Sequence, residues 1–219
     1  MRLTALALTL AALVLTIAPG TAAAQAGAKT NRGKLMNPAL MKETAPEMFQ
    51  ARFTTSKGDF VIEVTRAWSP NGADRFYNLV KNGYFDNCRF FRVVKGFMVQ
   101  FGLSGEPGVN RVWSSATIKD DPVKQSNKKG YITYAMTSAP NSRSNQIFIN
   151  FTDNAFLDRQ GFAPFGKVVE GMDIVDSINN EYGEKPDQGQ IQTMGNSYLQ
   201  KAFPRLDFIK SAAIVTGAK

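Results

Sequence analysis

The stretch F-F-R-V-V-K-G-F-M-V-Q-F-G spans residues 90–102. It is apolar enough for a buried strand, yet Arg92 lies in its middle, Gly96 interrupts it and Gln100 lies near its end. A single arginine in a strand more often extends its charged end to solvent than forms a site. The role of Arg92 therefore depends on the rest of the chain.

Strand geometry gives a first indication of what this stretch does. Successive side chains of a strand point to opposite faces, so Arg92, Met98 and Gln100 are predicted to share one face. Phe97 falls on the other face by the same alternation. Gly96 is a candidate β-bulge, which would let the neighbouring Phe97 and Met98 reach the same cleft.

Short runs rich in β-branched and aromatic residues, bounded by turn residues, fill much of the chain after residue 48. Such runs are typical of strands. Between them, residues 103–129 and 137–145 are long and irregular, and loops of this length in a compact domain are usually functional or mobile. The predicted strands are residues 52–56, 60–64, 90–94, 97–101, 130–136, 146–151, 165–169 and 206–215.

Two well-separated segments have helical patterns. Ser69 suits the N-cap and Pro70 the first position of a helix that Gly83 ends. A short helix is expected around residues 173–179, and residues 196–202 can form one or two further turns. Many short strands with two main helices favour a mainly β domain, either a barrel or a sandwich with helical caps.

The N-terminal residues have the layout of a secretory signal peptide. One positive charge at Arg2 precedes an apolar run over residues 3–18, and small residues follow. Cleavage after Ala24 or Ala26 satisfies the small-x-small rule. The run is too short for a good membrane span, so an uncleaved anchor is the weaker alternative. We expect export to the periplasm or the medium, with no membrane insertion after cleavage.

The mature chain is predicted to begin with a tail and to continue as one domain. Residues 25–48 contain few bulky apolar side chains and are interpreted as an N-terminal tail or linker. The residue composition changes at residue 49, and the length of 219 residues favours a single domain over residues 49–219.

Composition excludes several kinds of chemistry. The chain has no histidine, which excludes Ser-His-Asp and Cys-His catalysis and histidine-ligated zinc. Its single cysteine, Cys88, excludes an intramolecular disulfide. The formal net charge is +8, but no dense Lys/Arg block is present, so we expect no nucleic-acid partner. No metal and no cofactor are predicted.

Four segments together resemble the cyclophilin peptidyl-prolyl isomerases. Residues 90–102 resemble the family pattern F-H-R-[hydrophobic]2-x-G-F-[hydrophobic]-x-Q-x-G. The others, in the family's order, are Y-A-M-T-S-A-P-N-S-R-S-N-Q-I-F-I-N at residues 134–150, F-L-D at 156–158 and F-G-K-V-V-E-G-M-D at 165–173. The resemblance covers residues 49–215. It implies an eight-stranded antiparallel β-barrel capped by two α-helices.

The resemblance also implies a site. Arg92 stands where the family has its catalytic arginine. The positions of the apolar pocket for the substrate proline are occupied by Phe97, Met98, Phe148 and Leu157, and those of its polar partners by Gln100 and Gln146. Thr137 stands where a backbone position binds the peptide, with Met136 beside it.

Three positions depart from the family pattern. Phe91 stands where the family has a histidine, and Phe156 replaces the tryptophan common in eukaryotic members. Phe162 stands about where the family has another histidine that lines the pocket. Phe156 and Phe162 are nonetheless candidates for the substrate pocket. Because phenylalanine lacks the indole N–H donor of tryptophan, we expect weak cyclosporin binding.

The predicted function is acceleration of X-Pro isomerisation in the folding of exported proteins. The barrier comes from amide conjugation, and crossing it needs no proton transfer, so the absence of histidine is no obstacle. An apolar pocket would hold the proline while Arg92 donates to the twisted amide. The chain would act as a monomer on proline-containing unfolded or folding polypeptides. The alternative is a non-catalytic X-Pro peptide-binding or chaperone module; a β-barrel hydrolase would lack a nucleophile–base pair.

Overall fold

The computed structural model describes residues 33–215, so the predicted signal peptide at residues 1–24 lies outside the described residues. One antiparallel sheet has the strand order β3-β4-β6-β5-β7-β2-β1-β8. The strands are β1 (Met48–Thr55), β2 (Asp59–Thr65), β3 (Arg92–Val94), β4 (Met98–Phe101), β5 (Tyr131–Tyr134), β6 (Ile147–Asn150), β7 (Pro164–Glu170) and β8 (Ile209–Ile214).

The edge strands β3 and β8 approach each other, so the sheet curls into a half-barrel. Just before β3, the N–H of Phe90 donates to the carbonyl of Asp207 at 3.0 Å, and that of Asn87 donates to the carbonyl of Ile209 at 2.8 Å. These hydrogen bonds join the β3 and β8 edges of the sheet along part of their length. The mainly β prediction, with eight antiparallel strands, is confirmed.

Helices lie against this sheet and between its strands. None of those described is long and apolar enough to cross a membrane. The α-helices are α1 (Pro70–Lys81), α2 (Pro107–Trp113), α3 (Met172–Asp176), α4 (Gln188–Met194) and α5 (Asn196–Ala202), and short 3-10 turns span Pro38–Leu40, Arg66–Trp68 and Ala155–Gln160.

Helix α1 is the main helical cap of the half-barrel. It begins at Pro70 after Ser69, as the sequence predicts, and packs against β7 and β8. Phe76 lies at its centre, fully buried, with its ring centroid 5.1 Å from that of Phe165 and 6.0 Å from that of Phe53. Burial of such rings stabilises the packing of the cap by about 25 cal/mol per Å² of apolar surface.

Part of the segment expected to be an N-terminal tail lies against the domain. The indole Nε1 of Trp113 donates to the carbonyl of Leu35 at 2.8 Å. The amide of Asn78, on α1, donates to the carbonyl of Glu43 at 2.7 Å and accepts from its N–H at 3.1 Å. Residues 33–47 therefore contact both α1 and the last residue of α2.

Two short helices lie where the sequence pattern indicated irregular chain. Helix α2 lies inside the long loop at residues 103–129, and α4 precedes the expected turns at residues 196–202. Each has seven residues, which is too few for helical periodicity to be distinctive. Their N-terminal signals are present: Pro107 begins α2, and Asp187 caps α4 by accepting from the N–H of Gln190 at 2.7 Å.

Candidate active site

Alternation along three neighbouring strands separates the core from a cleft. Arg92 on β3 pairs with Gln100 on β4, and Gln100 pairs with Phe148 on β6. These three side chains form a row on the face away from the main core, whereas Val93 and Val99, one residue along, are buried in that core. The apolar stretch therefore carries an arginine because every second residue faces the cleft.

The turn between β3 and β4 corrects the expectation of a bulge. The N–H of Phe97 donates to the carbonyl of Val94 at 3.0 Å, which closes a tight hairpin turn around Lys95 and Gly96. Gly96 has φ +74°, a conformation that residues with a side chain rarely adopt. β3 and β4 pair without a register shift, so Phe97 reaches the cleft as the last residue of the turn.

An apolar pocket lies beside the Arg92 row. Met98, Phe148 and Leu157 form its buried base, with Phe97 and Phe162 packed around them. The rings of Phe148 and Phe162 meet edge to face, with centroids 5.8 Å apart. Rings and thioether together give a surface suited to an alicyclic ring such as that of proline.

A hydrogen-bonded chain of polar groups borders the pocket. Nη1 of Arg92 donates to Oε1 of Gln100 at 3.2 Å and lies 3.9 Å from the sulfur of Met98. Nε2 of Gln100 in turn donates to Oε1 of Gln146 at 2.9 Å. The guanidinium also lies 6.0 Å from the centre of the Phe97 ring. The charged group is therefore held at the wall of the apolar pocket.

A carboxylate binds the other edge of the Arg92 guanidinium. This contact was not predicted from the sequence. Nε of Arg92 donates to Oε1 of Glu184 at 2.7 Å, and Nη2 contacts the same oxygen. The Glu184 side chain is 60% exposed and that of Arg92 30% exposed, so solvent screens the pair. Glu184 lies 92 residues along the chain from Arg92, beyond the reach of any local pattern.

The predicted site residues come together with one exception. All but Phe156 line a single cleft of about 430 Å³. Phe156 is 55% exposed and stacks on the ring of Phe97, with centroids 5.9 Å apart. The cleft-lining members are Arg92, Phe97, Met98, Gln100, Met136, Thr137, Gln146, Phe148, Leu157 and Phe162.

The cleft has a further wall, formed by residues that were not predicted to line it. Helices α2 and α4, which pack against each other, supply part of it. Its additional lining residues are Leu103, Asn110, Ser114, Ala135, Ser142, Ser144, Asn145, Gln188 and Gln192. For the two helices, the only sequence signals were their capping residues, whereas Ala135, Ser142, Ser144 and Asn145 lie in the segment 134–150 that resembles the family.

Thr137 reaches the cleft with part of its backbone already engaged. Its N–H donates to Oγ of Ser142 at 3.0 Å, across the turn that follows β5. Its carbonyl makes no hydrogen bond within residues 33–215. The carbonyl of Thr137 is therefore the backbone group that can accept a hydrogen bond from a bound peptide.

A network of polar residues braces the turn that carries Leu157. Asp158 accepts from Oγ of Ser126 at 2.6 Å and from the N–H of Asn127 at 2.9 Å. Desolvation tends to raise the pKa of Asp158, but these hydrogen bonds outweigh it and lower the pKa below its ordinary value. The amide of Asn127 also donates to the carbonyl of Phe162 at 2.9 Å, which fixes that residue over the pocket.

Similarity to known proteins agrees with this geometry. A family model described as cyclophilin type peptidyl-prolyl cis-trans isomerase/CLD matches residues 50–196, more than half of the chain. The chain belongs to the cyclophilin family of peptidyl-prolyl cis-trans isomerases. This cyclophilin is 35% identical over 153 residues to a peptidyl-prolyl cis-trans isomerase of Acinetobacter baylyi, covering 68% of this chain and 78% of the relative.

Two further proteins extend the comparison. Peptidyl-prolyl cis-trans isomerase B of Escherichia coli is 36% identical over 134 residues, covering 58% of this chain and 81% of its own. A crystal structure of a Cryptosporidium parvum cyclophilin type peptidyl-prolyl cis-trans isomerase, determined in the presence of the dipeptide Ala-Pro, has a TM-score of 0.58 at 22% identity and covers 77% of this chain and 99% of that one. The fold and the enzyme class expected from the sequence are both confirmed.

This cyclophilin departs from the family pattern at Phe91, where the family has a histidine, and the packing around Phe91 explains this difference. Phe91 is 1% exposed and belongs to a small apolar cluster with Leu103, Ile191, Leu199 and Leu206. Ile191 lies on α4 and Leu199 on α5, so Phe91 is part of the base on which the two helices pack. A histidine at this position would place polar ring nitrogens among apolar side chains.

Proposed function

We propose that this cyclophilin accelerates X-Pro isomerisation in exported polypeptides, with Arg92 as the catalytic residue. The observation that carries the proposal is the placement of the guanidinium beside the apolar pocket, where Nη1 lies 3.9 Å from the sulfur of Met98. A proline ring seated on Met98, Phe148 and Leu157 would bring its amide next to Arg92.

The chemistry requires selective stabilisation of a twisted amide. Unaided isomerisation takes tens to hundreds of seconds. Reducing this to milliseconds needs a factor of about 10⁴–10⁵, or roughly 5.5–7 kcal/mol. Twisting the C–N bond makes the prolyl nitrogen pyramidal and a better acceptor, so a fixed donor stabilises the transition state more than the planar ground state. Preorganised donors of this kind contribute roughly 3–4 kcal/mol each.

The arrangement suits arginine because its charge is permanent and its donors form a planar fork. Glu184 and Gln100 hold the two edges of the guanidinium, so little reorientation is needed when the amide twists. The apolar pocket supplies the rest, since the less dipolar twisted amide is better accommodated there than the planar one. No step transfers a proton or forms a covalent bond.

The second candidate is a non-catalytic module that binds X-Pro segments. The ordered contacts of Arg92 favour catalysis, because simple retention of a proline ring needs only the apolar pocket. A protease-coupled or exchange NMR assay on an Ala-Pro-Phe type peptide separates the two. A rate above the uncatalysed background supports the enzyme, whereas binding without any acceleration supports the module. The Ala-Pro dipeptide used with the Cryptosporidium relative is a suitable first ligand.

Export is the second part of the proposal. It is supported by the charge at Arg2, the apolar run over residues 3–18 and the small residues that follow. The expected product is a mature chain that begins after Ala24 or Ala26. Intact-mass measurement of protein recovered from the periplasm or the medium of a bacterial expression host tests this. Full-length chain retained in the cytoplasm would contradict it.

A further inference from the structure

Helix α4 presents two side-chain amides to the cleft. Gln188 and Gln192 are four residues apart, so they share one face of the helix, and both line the cleft. Neither side chain makes a hydrogen bond within the described part of the chain. Both amides are therefore available as donors and acceptors on the wall of a peptide-binding cleft.

The helix that carries them is firmly anchored. Ile191 is fully buried in the cluster around Phe91, and the amide of Asn110 donates to the carbonyl of Ile191 at 3.3 Å. Asp187 caps the first turn of the helix. The amides of Gln188 and Gln192 are thus displayed from a fixed backbone rather than from a free loop, which lowers the entropic cost of using them.

A smaller cavity of about 240 Å³ adjoins the cleft at Gln192. Asn110, Ser114 and Gln192 line both cavities. Arg111 and Thr193 line the smaller one alone. A groove of this extent accommodates more than a single prolyl residue, since pockets of about 300–1,000 Å³ hold ligands of drug size.

We propose that Gln188 and Gln192 bind the main chain of the substrate peptide beyond the prolyl residue. A carboxamide offers one acceptor and two donors, which match the C=O and N–H of an extended peptide. Recognition of main-chain groups would be independent of side-chain identity, as suits an enzyme acting on many unfolded chains. This inference rests on the proposed isomerase function and adds an extended subsite to it.

Peptide length provides the test. Exchange NMR gives kcat/KM for Ala-Ala-Pro-Phe and for versions lengthened by four alternating Ser and Ala residues on the N-terminal or the C-terminal side. We expect lengthening on one side to raise kcat/KM roughly five- to fiftyfold, because each net hydrogen bond changes a binding constant by several fold. The double variant Gln188→Ala/Gln192→Ala should bring the ratio of long to short substrate close to one.

Gln190→Ala is the matched control. It removes the same side chain from the same helix, but Gln190 lines neither cavity. Gln190→Ala should keep the wild-type ratio of kcat/KM between the long and the short substrate. The inference is overturned if wild type shows no gain with length on either side, if the double variant keeps the gain, or if Gln190→Ala loses it equally. The rate on the short peptide tests the proposed function separately, since it does not depend on the extension.

Discussion

Arg92 and Glu184 form a salt bridge at the edge of the cleft, with Nε of the arginine 2.7 Å from Oε1 of the carboxylate. The pair joins β3 to the loop before α4, which are distant in sequence. Because the carboxylate engages Nε and Nη2, the Nη1 edge is left to Gln100 and the apolar pocket. We interpret Glu184 as a residue that orients the guanidinium.

Removal of the Glu184 carboxylate should lower the isomerase activity more than the free energy of unfolding. In Glu184→Ala, we expect kcat/KM for an X-Pro peptide to fall roughly two- to fivefold, since an exposed ion pair contributes at most about 1 kcal/mol. Exchange NMR measures the rate. Glu181→Ala is the control, because it breaks a comparable pair with Arg205 in the same turn but outside the cleft. Equal rates for the two variants would show that Glu184 has no orienting role.

Restoration of the family histidine should destabilise this cyclophilin. In Phe91→His, polar ring nitrogens enter a cluster formed with the apolar side chains of Leu103 and Ile191. We expect the free energy of unfolding to fall by about 1–3 kcal/mol, the cost of a buried unsatisfied polar group. Urea unfolding measures it, with Phe91→Leu as the apolar control. A histidine variant as stable as the leucine variant would rule out this explanation of the departure.

Asp121 should make stability depend on acid pH. Burial tends to raise its pKa, but hydrogen bonds from Ser69, Gly72 and Asn71 and the charge of Arg143 lower it below the ordinary value of 3.8. The folded state therefore binds the proton less readily than the unfolded chain. The stabilisation is present above the unfolded pKa and is lost as pH falls through the folded pKa.

The variant Asp121→Asn isolates this contribution. It should be less stable than wild type at pH 7, because Arg143, at 2% side-chain exposure, loses its buried counter-charge. The difference between the two proteins should shrink below about pH 4, near the ordinary aspartate pKa. Urea unfolding at pH 7 and pH 3 measures both. A stability difference that does not change with pH would contradict the linkage.

Cyclosporin sensitivity should depend on Phe156. This residue is 55% exposed and stacks on Phe97, so its edge is accessible beside the cleft. Phe156→Trp would add an indole N–H donor without a change in the core. We expect weak inhibition of wild type and clearly stronger inhibition of the variant in the isomerase assay. Potent low-nanomolar inhibition of wild type would contradict the prediction.

The sequence predicted those parts of the site that have a local pattern. Alternation placed Arg92 and Gln100 on one face, and the structure pairs them directly. Gly96 was predicted to mark a bulge and instead forms a turn, because both features favour glycine and only the paired register distinguishes them. The family resemblance placed Phe162 in the cleft, where the structure also places it.

What the sequence did not predict depends on long-range packing. Helices α2 and α4 are too short to show periodicity. The position of α4 follows from the apolar cluster around Phe91, whereas α2 packs into the main core through Val109 and Trp113. The cluster around Phe91 joins residues from β4's following loop, α4 and α5, so no single segment reveals it. Glu184 meets Arg92 because the carbonyl of Gly183 accepts from the N–H of Val93 at 3.1 Å. The anchoring of α4 through Ile191 brings Gln188 and Gln192 to the cleft.

The catalytic role of Arg92 is tested by exchange NMR of an X-Pro peptide with wild type and Arg92→Ala, in one titration that reports both binding and exchange. We expect the variant still to bind the peptide through the apolar pocket, while its isomerisation rate falls roughly 10²- to 10³-fold, the usual effect of losing a preorganised donor. Isomerisation by Arg92→Ala at the wild-type rate, with an equal fraction of peptide bound, would contradict that role.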